Sequence, residues 1–208
     1  MQNNKISSNT ELEVKFYLTR REEMELKLNT LGTLHAPRVR EINLRLDTPG
    51  MDLLHGGKLL RLRQDTRARL TYKGPGSEQG GARLRQELEF TVSDFDTALK
   101  LFEALGYQVM LMYEKYRTTY QLGKVEAALD EMPTGHFLEL EGPDAESIHA
   151  VADQLGLNWE RRILDSYTVL FERTRQSLGF TFRDLSFENF KELKVTPEAM
   201  GVLPADKV

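Results

Sequence analysis

Apolar and polar positions alternate along much of this chain. In ELEVKF, Leu12, Val14 and Phe16 alternate with Glu11, Glu13 and Lys15. A β-strand sends successive side chains to opposite faces, so this pattern predicts a strand with one apolar and one charged face. RLRQELEF repeats it, with Arg83, Arg85, Glu87 and Glu89 set against Leu84, Gln86, Leu88 and Phe90. In FLELEG, Glu139 and Glu141 alternate with Leu138 and Leu140. LLRLR (Arg61, Arg63), RLTYKG (Arg69, Thr71, Lys73), EKYRTTYQ (Lys115, Arg117) and VEAALDE (Glu126, Asp130) extend the series to seven or eight strands.

Between the strands, three segments show helical spacing and end in Leu-Gly. The first carries a capping signal, with Thr19 as N-cap and Glu22 three residues on, and stops at Gly32. A second, from about Ser93 to Gly106, is expected to bury Phe95, Leu99, Phe102 and Leu105. The third, from about Asp144 to Gly156, is expected to bury Ile148, Val151 and Leu155. A fourth helix is expected to begin near Ile163 in ILDSYTVLFERTRQ. GPGSEQGG, Gly74 to Gly81, reads as a flexible hairpin loop and lacks the spacing of a nucleotide P-loop. After Gly179 the periodicity is lost, and Phe180, Phe182, Phe187 and Phe190 are expected to cover an apolar patch. The organisation expected is a flexible stretch at 1–10, a main domain at 11–175 and an extension at 176–208.

Composition narrows the chemistry. A length of 208 residues with 40% apolar positions suits one globular core. The 28 Lys+Arg and 32 Asp+Glu give a net charge of -4, which exerts no overall pull toward nucleic acid or an anionic membrane. With no cysteine, any metal must be held by oxygen or imidazole. The four histidines show no ligand spacing, and His35, His55, His136 and His149 read as surface or core residues. MQNNKISSNT lacks the apolar run of a signal peptide, and no stretch approaches the roughly 20 apolar residues of a membrane span, so a cytoplasmic protein is expected.

One charged strand face is ordinarily a solvated face. The ensemble points elsewhere, because its cations are mainly arginines, suited to bidentate phosphate recognition, and Glu-x-Glu pairs fall on three strands. Many strands and few helices also favour closing the sheet. Charged faces turned into a closed interior would need a ligand to complete them. The cations Lys15, Arg61, Arg63, Lys73, Arg85, Lys115 and Arg117 call for a polyanion. The acids Glu11, Glu13, Glu87, Glu89, Asp130, Glu139 and Glu141 call for a hard divalent cation, Mg²⁺ or Mn²⁺.

ELEVK resembles the Glu-x-Glu-x-Lys signature of the CYTH superfamily, the triphosphate tunnel metalloenzymes. The resemblance extends in order through LDTPGMDLLHGGKLLRLR, LTYKGP, RQELEF, EKYRTTYQLG, ALDEMPTGHFLELEG and SYTVLF, over roughly residues 11 to 173. It implies an α+β fold: an eight-stranded antiparallel β-barrel, open at both ends, with helices packed outside and a triphosphate inside. Carried over motif by motif, the seven cations above would grip phosphate, and Glu11, Glu13, Asp130, Glu139 and Glu141 would hold the metal. Glu87 and Glu89 are further acidic candidates, and Glu11, Glu13 and Lys15 form the catalytic set. Where many members carry a basic residue before the Ser-Tyr pair, this chain has Asp165, leaving that phosphate contact absent or supplied by Arg161 or Arg162.

The pattern is most similar to class IV adenylyl cyclases, which implies conversion of ATP to cyclic AMP and pyrophosphate. Hydrolysis of inorganic tripolyphosphate or another triphosphate is the alternative, and a non-catalytic polyphosphate-binding protein is a third reading. The expected partners are a nucleoside triphosphate or inorganic tripolyphosphate, with no nucleic acid and no membrane, and a homodimer is left open. Tyr113, Tyr116 and Tyr120 are expected to pack under helices, and Trp159 to serve packing.

Overall fold

Eight antiparallel strands close on themselves in a computed structural model that describes residues 9–206. They are β1 (Thr10–Leu18), β2 (Thr33–Asp47), β3 (Leu59–Gln64), β4 (Ala68–Gln79), β5 (Ala82–Val92), β6 (Gln108–Leu122), β7 (Val125–Met132) and β8 (Gly135–Glu141). The order around the barrel is β1-β5-β4-β3-β2-β6-β7-β8. Closure follows from the two-sided strands: an inward charged row and an outward apolar row leave no face for bulk water. The expected α+β barrel is thus present, and the strand at 33–47, which was not among the expected strands, is its longest member together with β6.

The helices are α1 (Arg21–Leu31), α2 (Asp52–His55), α3 (Phe95–Ala104), α4 (Ala145–Leu155), α5 (Tyr167–Leu178) and α6 (Phe187–Phe190). Leu12, Val14 and Phe16 pack outward with Met24 and Leu28 of α1 and Ile148, Val151 and Leu155 of α4. Each such side chain contributes roughly 1.5 to 3 kcal/mol on full burial. Asp144 caps α4 by accepting from the Ser147 amide, and Gly156 ends it with φ of 72°. On the opposite flank α3 lies over Leu46, Leu60, Leu62 and Leu70.

Several expected details change. Thr19 does not cap α1; its hydroxyl donates to Asp206 Oδ1 at 3.0 Å, while Asp206 Oδ2 accepts from the amides of Thr19 and Arg20 at 2.8 and 2.6 Å. A residue near the chain's end therefore supplies the oxygen that a local capping box would have supplied. Leu105 is exposed rather than buried, because α3 ends at Ala104 and Leu105 leaves its apolar stripe. α5 begins at Tyr167, not near Ile163: Ile163 exchanges backbone hydrogen bonds with Lys15 at 3.1 and 2.8 Å, and Ser166 is the N-cap. The glycine-rich loop is mostly strand, since β4 continues to Gln79 and only Gly80 and Gly81, both at positive φ, make the turn.

Part of one barrel end is filled. On β1 and β8 the inward rows run Glu13, Lys15, Tyr17 and Glu141, Glu139, Phe137, paired in register, so charge gives way to aromatic rings. Tyr17 and Phe137 meet edge to face at 5.3 Å, and Tyr167 from α5 meets Phe137 at 5.1 Å. Phe180, Phe182 and Phe190 pack on Phe171 of α5, as the expected cover of an apolar patch. Leu185 pairs with Tyr113 of β6, and Pro204 with Tyr17 of β1. The part of that end beneath β1, β7 and β8 is consequently packed with apolar and aromatic side chains. The expected flexible stretch at 1–10 falls largely outside the described residues, and Thr10 already belongs to β1.

Candidate functional site

The interior is a charged cavity of about 460 Å³. All seven expected cations, Lys15, Arg61, Arg63, Lys73, Arg85, Lys115 and Arg117, line it. So do Glu11, Glu13, Glu87, Glu89, Glu139 and Glu141. Register explains the convergence, because directly paired residues of neighbouring strands point the same way: Lys15 opposes Glu139, Arg61 opposes Thr71, and Lys73 opposes Glu87.

Asp130 is the exception. It is fully buried behind the cavity wall, accepting from Lys115 Nζ at 2.8 Å, Arg117 Nε at 2.6 Å and the Tyr167 hydroxyl at 2.7 Å. Its oxygens are committed to orienting two cations, so it stands apart from the acids that meet the open space.

The remaining charges form pairs across the interior. Lys15 contacts Glu13 at 2.8 Å and Glu139 at 3.4 Å. Arg117 also pairs with Glu139, and Lys73 pairs with Glu11 and, at 3.1 Å, with Glu87. Arg63 lies between Glu41 and Glu89 at 3.3 and 3.1 Å. Burial pushes Glu139 up, yet Arg117, Lys15 and Lys115 hold it well below the usual carboxylate range. The same contest brings Glu41 down to about 2, with Lys115, Arg117 and Arg63 outweighing burial.

A different balance holds where β1, β5, β7 and β8 bring acids together. Glu13 opposes Glu141 on β8, which opposes Glu126 on β7. Burial raises Glu11 in spite of Lys73, with Glu87 adding to the rise. Enclosure, then Glu11, Glu87 and Glu126, pushes Glu141 up to about 8, although its side chain still meets the water of the cavity. This corner carries more negative charge than its lysine neutralises.

Three further inward residues escaped the sequence reading. Glu41, Asn43 and Arg45 form the inward row of β2, and EINLRLD alternates like the other strands, which was the available signal. Asn43 is completely buried, and neither its side-chain oxygen nor its nitrogen has a hydrogen-bond partner among the described residues. The Nε groups of Arg61, Arg63 and Arg69 are likewise buried without an acceptor. Such groups are costly unless a ligand completes them. Tyr113 also faces inward, its hydroxyl 3.3 Å from Arg61 Nη1, whereas Tyr120 packs in the outer core and Tyr116 against Phe187 of α6. Arg161 and Arg162 do not substitute for the basic residue absent at Asp165; they donate to the carbonyls of Pro204 and Gly81, away from the cavity.

Among the described residues, no three acidic or imidazole groups are gathered as ready-made metal ligands. The donor chemistry nevertheless fits a hard divalent ion. The acids offer only oxygen, and the crowding that raises Glu11 and Glu141 is what a divalent cation relieves. Glu13 and Glu139 are meanwhile held by cations that a phosphate chain would claim.

A family model for the CYTH domain matches residues 9–169, well over half of the chain. No curated protein matches. Among solved structures, a Vibrio parahaemolyticus protein provisionally described as an adenylate cyclase superposes with a TM-score of 0.71 at 22% identity, covering 79% of this chain and 98% of that one. A Pyrococcus horikoshii protein gives 0.64 at 28% identity, covering 76% and 96%. A Hippeastrum protein, provisionally assigned as an adenylyl cyclase and described as having a dominant triphosphatase activity, gives 0.57 at 16%, covering 78% and 95%.

Proposed function

Because this chain belongs to the CYTH domain family, we propose that it is a metal-dependent triphosphate-processing enzyme that converts ATP to cyclic AMP and pyrophosphate. The observation that carries the reading is that the Nε atoms of Arg61 and Arg63 are buried without a hydrogen-bond acceptor on the wall of a cavity that the five other expected cations also line. A polyphosphate chain supplies the missing acceptors.

In phosphoryl transfer a protein mainly positions groups and neutralises charge. Lys15, Arg61, Arg63, Lys73, Arg85, Lys115 and Arg117 would receive phosphate oxygens, with Arg45 added from β2. Asp130 would act indirectly, by holding Lys115 and Arg117 in place. Glu11, Glu13, Glu139 and Glu141 would hold Mg²⁺ or Mn²⁺, with Glu87 and Glu89 beside them. The ion would offset charge on the phosphates when bound. In cyclisation, the ribose 3'-oxygen bonds to the α-phosphorus, its proton passes to a carboxylate, and the bond to the bridging oxygen breaks to release pyrophosphate.

Hydrolysis is the second reading. It is favoured by the charge spread along the cavity, which inorganic tripolyphosphate could satisfy without an organic group. Phosphorus NMR on the protein with Mg²⁺ or Mn²⁺ and either ATP or tripolyphosphate tests both. Cyclic AMP and pyrophosphate from ATP support cyclisation, orthophosphate from tripolyphosphate supports hydrolysis, and tight binding without turnover would replace both with a binding role.

A further inference from the structure

Tyr113 of β6 is an inward-facing phenol that belongs to neither the cationic nor the acidic set. Its hydroxyl meets the charged cavity and accepts from Arg61 Nη1 at 3.3 Å, while its ring packs in the apolar cluster that contains Leu185 and Phe171. A phenol carries one proton to donate as well as lone pairs to accept with. Arg61 uses only the accepting side. Among the described residues no acceptor meets the Tyr113 proton, whereas the Tyr167 proton is spent on Asp130 Oδ2 at 2.7 Å.

The backbone under this ring is held from both edges. Tyr113 opposes Asn43 of β2 on one side. β7 pairs with β6 only from Tyr116 onward, and the segment 184–187 takes up the edge it leaves. Leu185 donates to the Met112 carbonyl at 2.9 Å and its carbonyl accepts from the Glu114 amide at 3.1 Å. The Met112 amide donates to Asp184 Oδ1 at 2.9 Å, and the Phe187 amide donates to Glu114 Oε1 at 2.7 Å. This segment lies outside the residues that the family model matches. A donor fixed in place before binding loses little freedom when a ligand arrives.

The charges around the hydroxyl suit an anionic acceptor. Arg61 of β3, Lys115 of β6 and Arg45 of β2 act on it, with Glu41 of β2 opposing them. Burial pushes the phenol up, yet Arg61 and Lys115 more than reverse this, so that it ionises below its usual range. A phenol polarised in this way is a better donor to an anion.

We propose that Tyr113 is a further substrate-contact residue, donating its phenolic hydrogen bond to an oxygen of the polyphosphate chain while Arg61 donates to its own oxygen. The inference rests on the triphosphate reading above and deepens it, adding a neutral donor to a cage of cations.

The test is titration calorimetry of the full chain with Mg²⁺ and tripolyphosphate, for the wild type and Tyr113→Phe, from about pH 7 to 10, with phenolate absorbance recorded alongside. Tyr113→Phe keeps the ring against Leu185, and a thermal melt checks its fold. At neutral pH the variant is expected to bind roughly tenfold or more weakly. As pH rises, affinity should fall more steeply in the wild type than in the variant, because an ionised phenol has no proton to give and repels phosphate. Bound tripolyphosphate should in turn delay the ionisation of one tyrosine, the one missing from the variant. Equal affinity of the two proteins would overturn the inference and leave the triphosphate reading standing. A weaker variant whose pH profile runs parallel to the wild type would overturn it too, since that loss would come through Arg61 or packing. If the variant does not fold, the wild-type titration decides: a tyrosine delayed by tripolyphosphate supports the contact, and none delayed overturns it. If the wild type binds no tripolyphosphate, the inference and the triphosphate reading fall together.

Discussion

Tyr167 donates its phenolic proton to Asp130 Oδ2 at 2.7 Å, joining the first turn of α5 to the inner face of β7. The same carboxylate holds Lys115 and Arg117, and all of these groups are largely enclosed. Removing one member of a buried charge network leaves the others uncompensated, at about 3 to 5 kcal/mol. Asp130→Asn is therefore expected to lower stability on that scale, and Tyr167→Phe by about 1 to 3 kcal/mol. Urea denaturation measures both; an unchanged midpoint for Asp130→Asn would show that the cations do not depend on it.

The contact between Asp206 and the start of α1 predicts a second loss. Asp206→Ala removes the acceptor of the amides of Thr19 and Arg20, just before α1, a loss of about 1 to 3 kcal/mol. The urea midpoint should fall with the slope unchanged. A full-strength midpoint would mean that water replaces the carboxylate at no cost.

The two sites differ in how readily sequence discloses them. Glu11, Glu13 and Lys15 were legible because strand alternation is local, and the register merely brought Glu139 and Lys73 to face them. Asp206 was not legible as a cap, since its partner is Thr19 at the far end of the chain, while the local Thr19 and Glu22 spacing offered a plausible substitute. The start of α5 was missed for a similar reason: Ile163 is held extended by Lys15, a long-range pairing that overrides local helical spacing. Asn43 and Arg45 had a period-2 signal but no run of like charges to draw attention to it. Phe180, Phe182 and Phe190 were foreseen as covering an apolar patch, but the packing of Tyr17 and Phe137 at the barrel end was not, because it depends on where these two fall in the register.

Glu141 predicts a pH dependence. Its folded pKa of about 8 lies above its ordinary value of 4.5, so between those values the folded protein keeps a proton that the unfolded chain has released. Stability should therefore fall as pH rises through this window. Thermal melts from pH 5 to 9 should show the decline in the wild type and a flatter profile in Glu141→Gln. Parallel profiles would remove Glu141 as its source. Adding Mg²⁺ should also reduce the decline in the wild type if the acidic corner holds the ion.

Arg63 and Glu13 separate phosphate binding from metal-dependent turnover. Arg63 lies between Glu41 and Glu89 with its Nε lacking a hydrogen-bond acceptor, so its replacement by alanine should remove phosphate contacts worth about 1.5 to 3 kcal/mol for each charge-assisted hydrogen bond. Tripolyphosphate affinity, measured by calorimetry, should drop by tenfold or more, and an unchanged affinity would take Arg63 out of the phosphate cage. Glu13 bonds Lys15 at 2.8 Å and faces Glu141 across the β1–β8 pair. Glu13→Gln keeps the shape and a hydrogen-bond acceptor for Lys15 but loses the charge a divalent ion requires. Turnover in Mg²⁺ or Mn²⁺ should therefore be abolished while the melt stays near that of the wild type. A fully active Glu13→Gln protein would contradict its assignment as a metal ligand and shift that role to Glu11, Glu139 and Glu141.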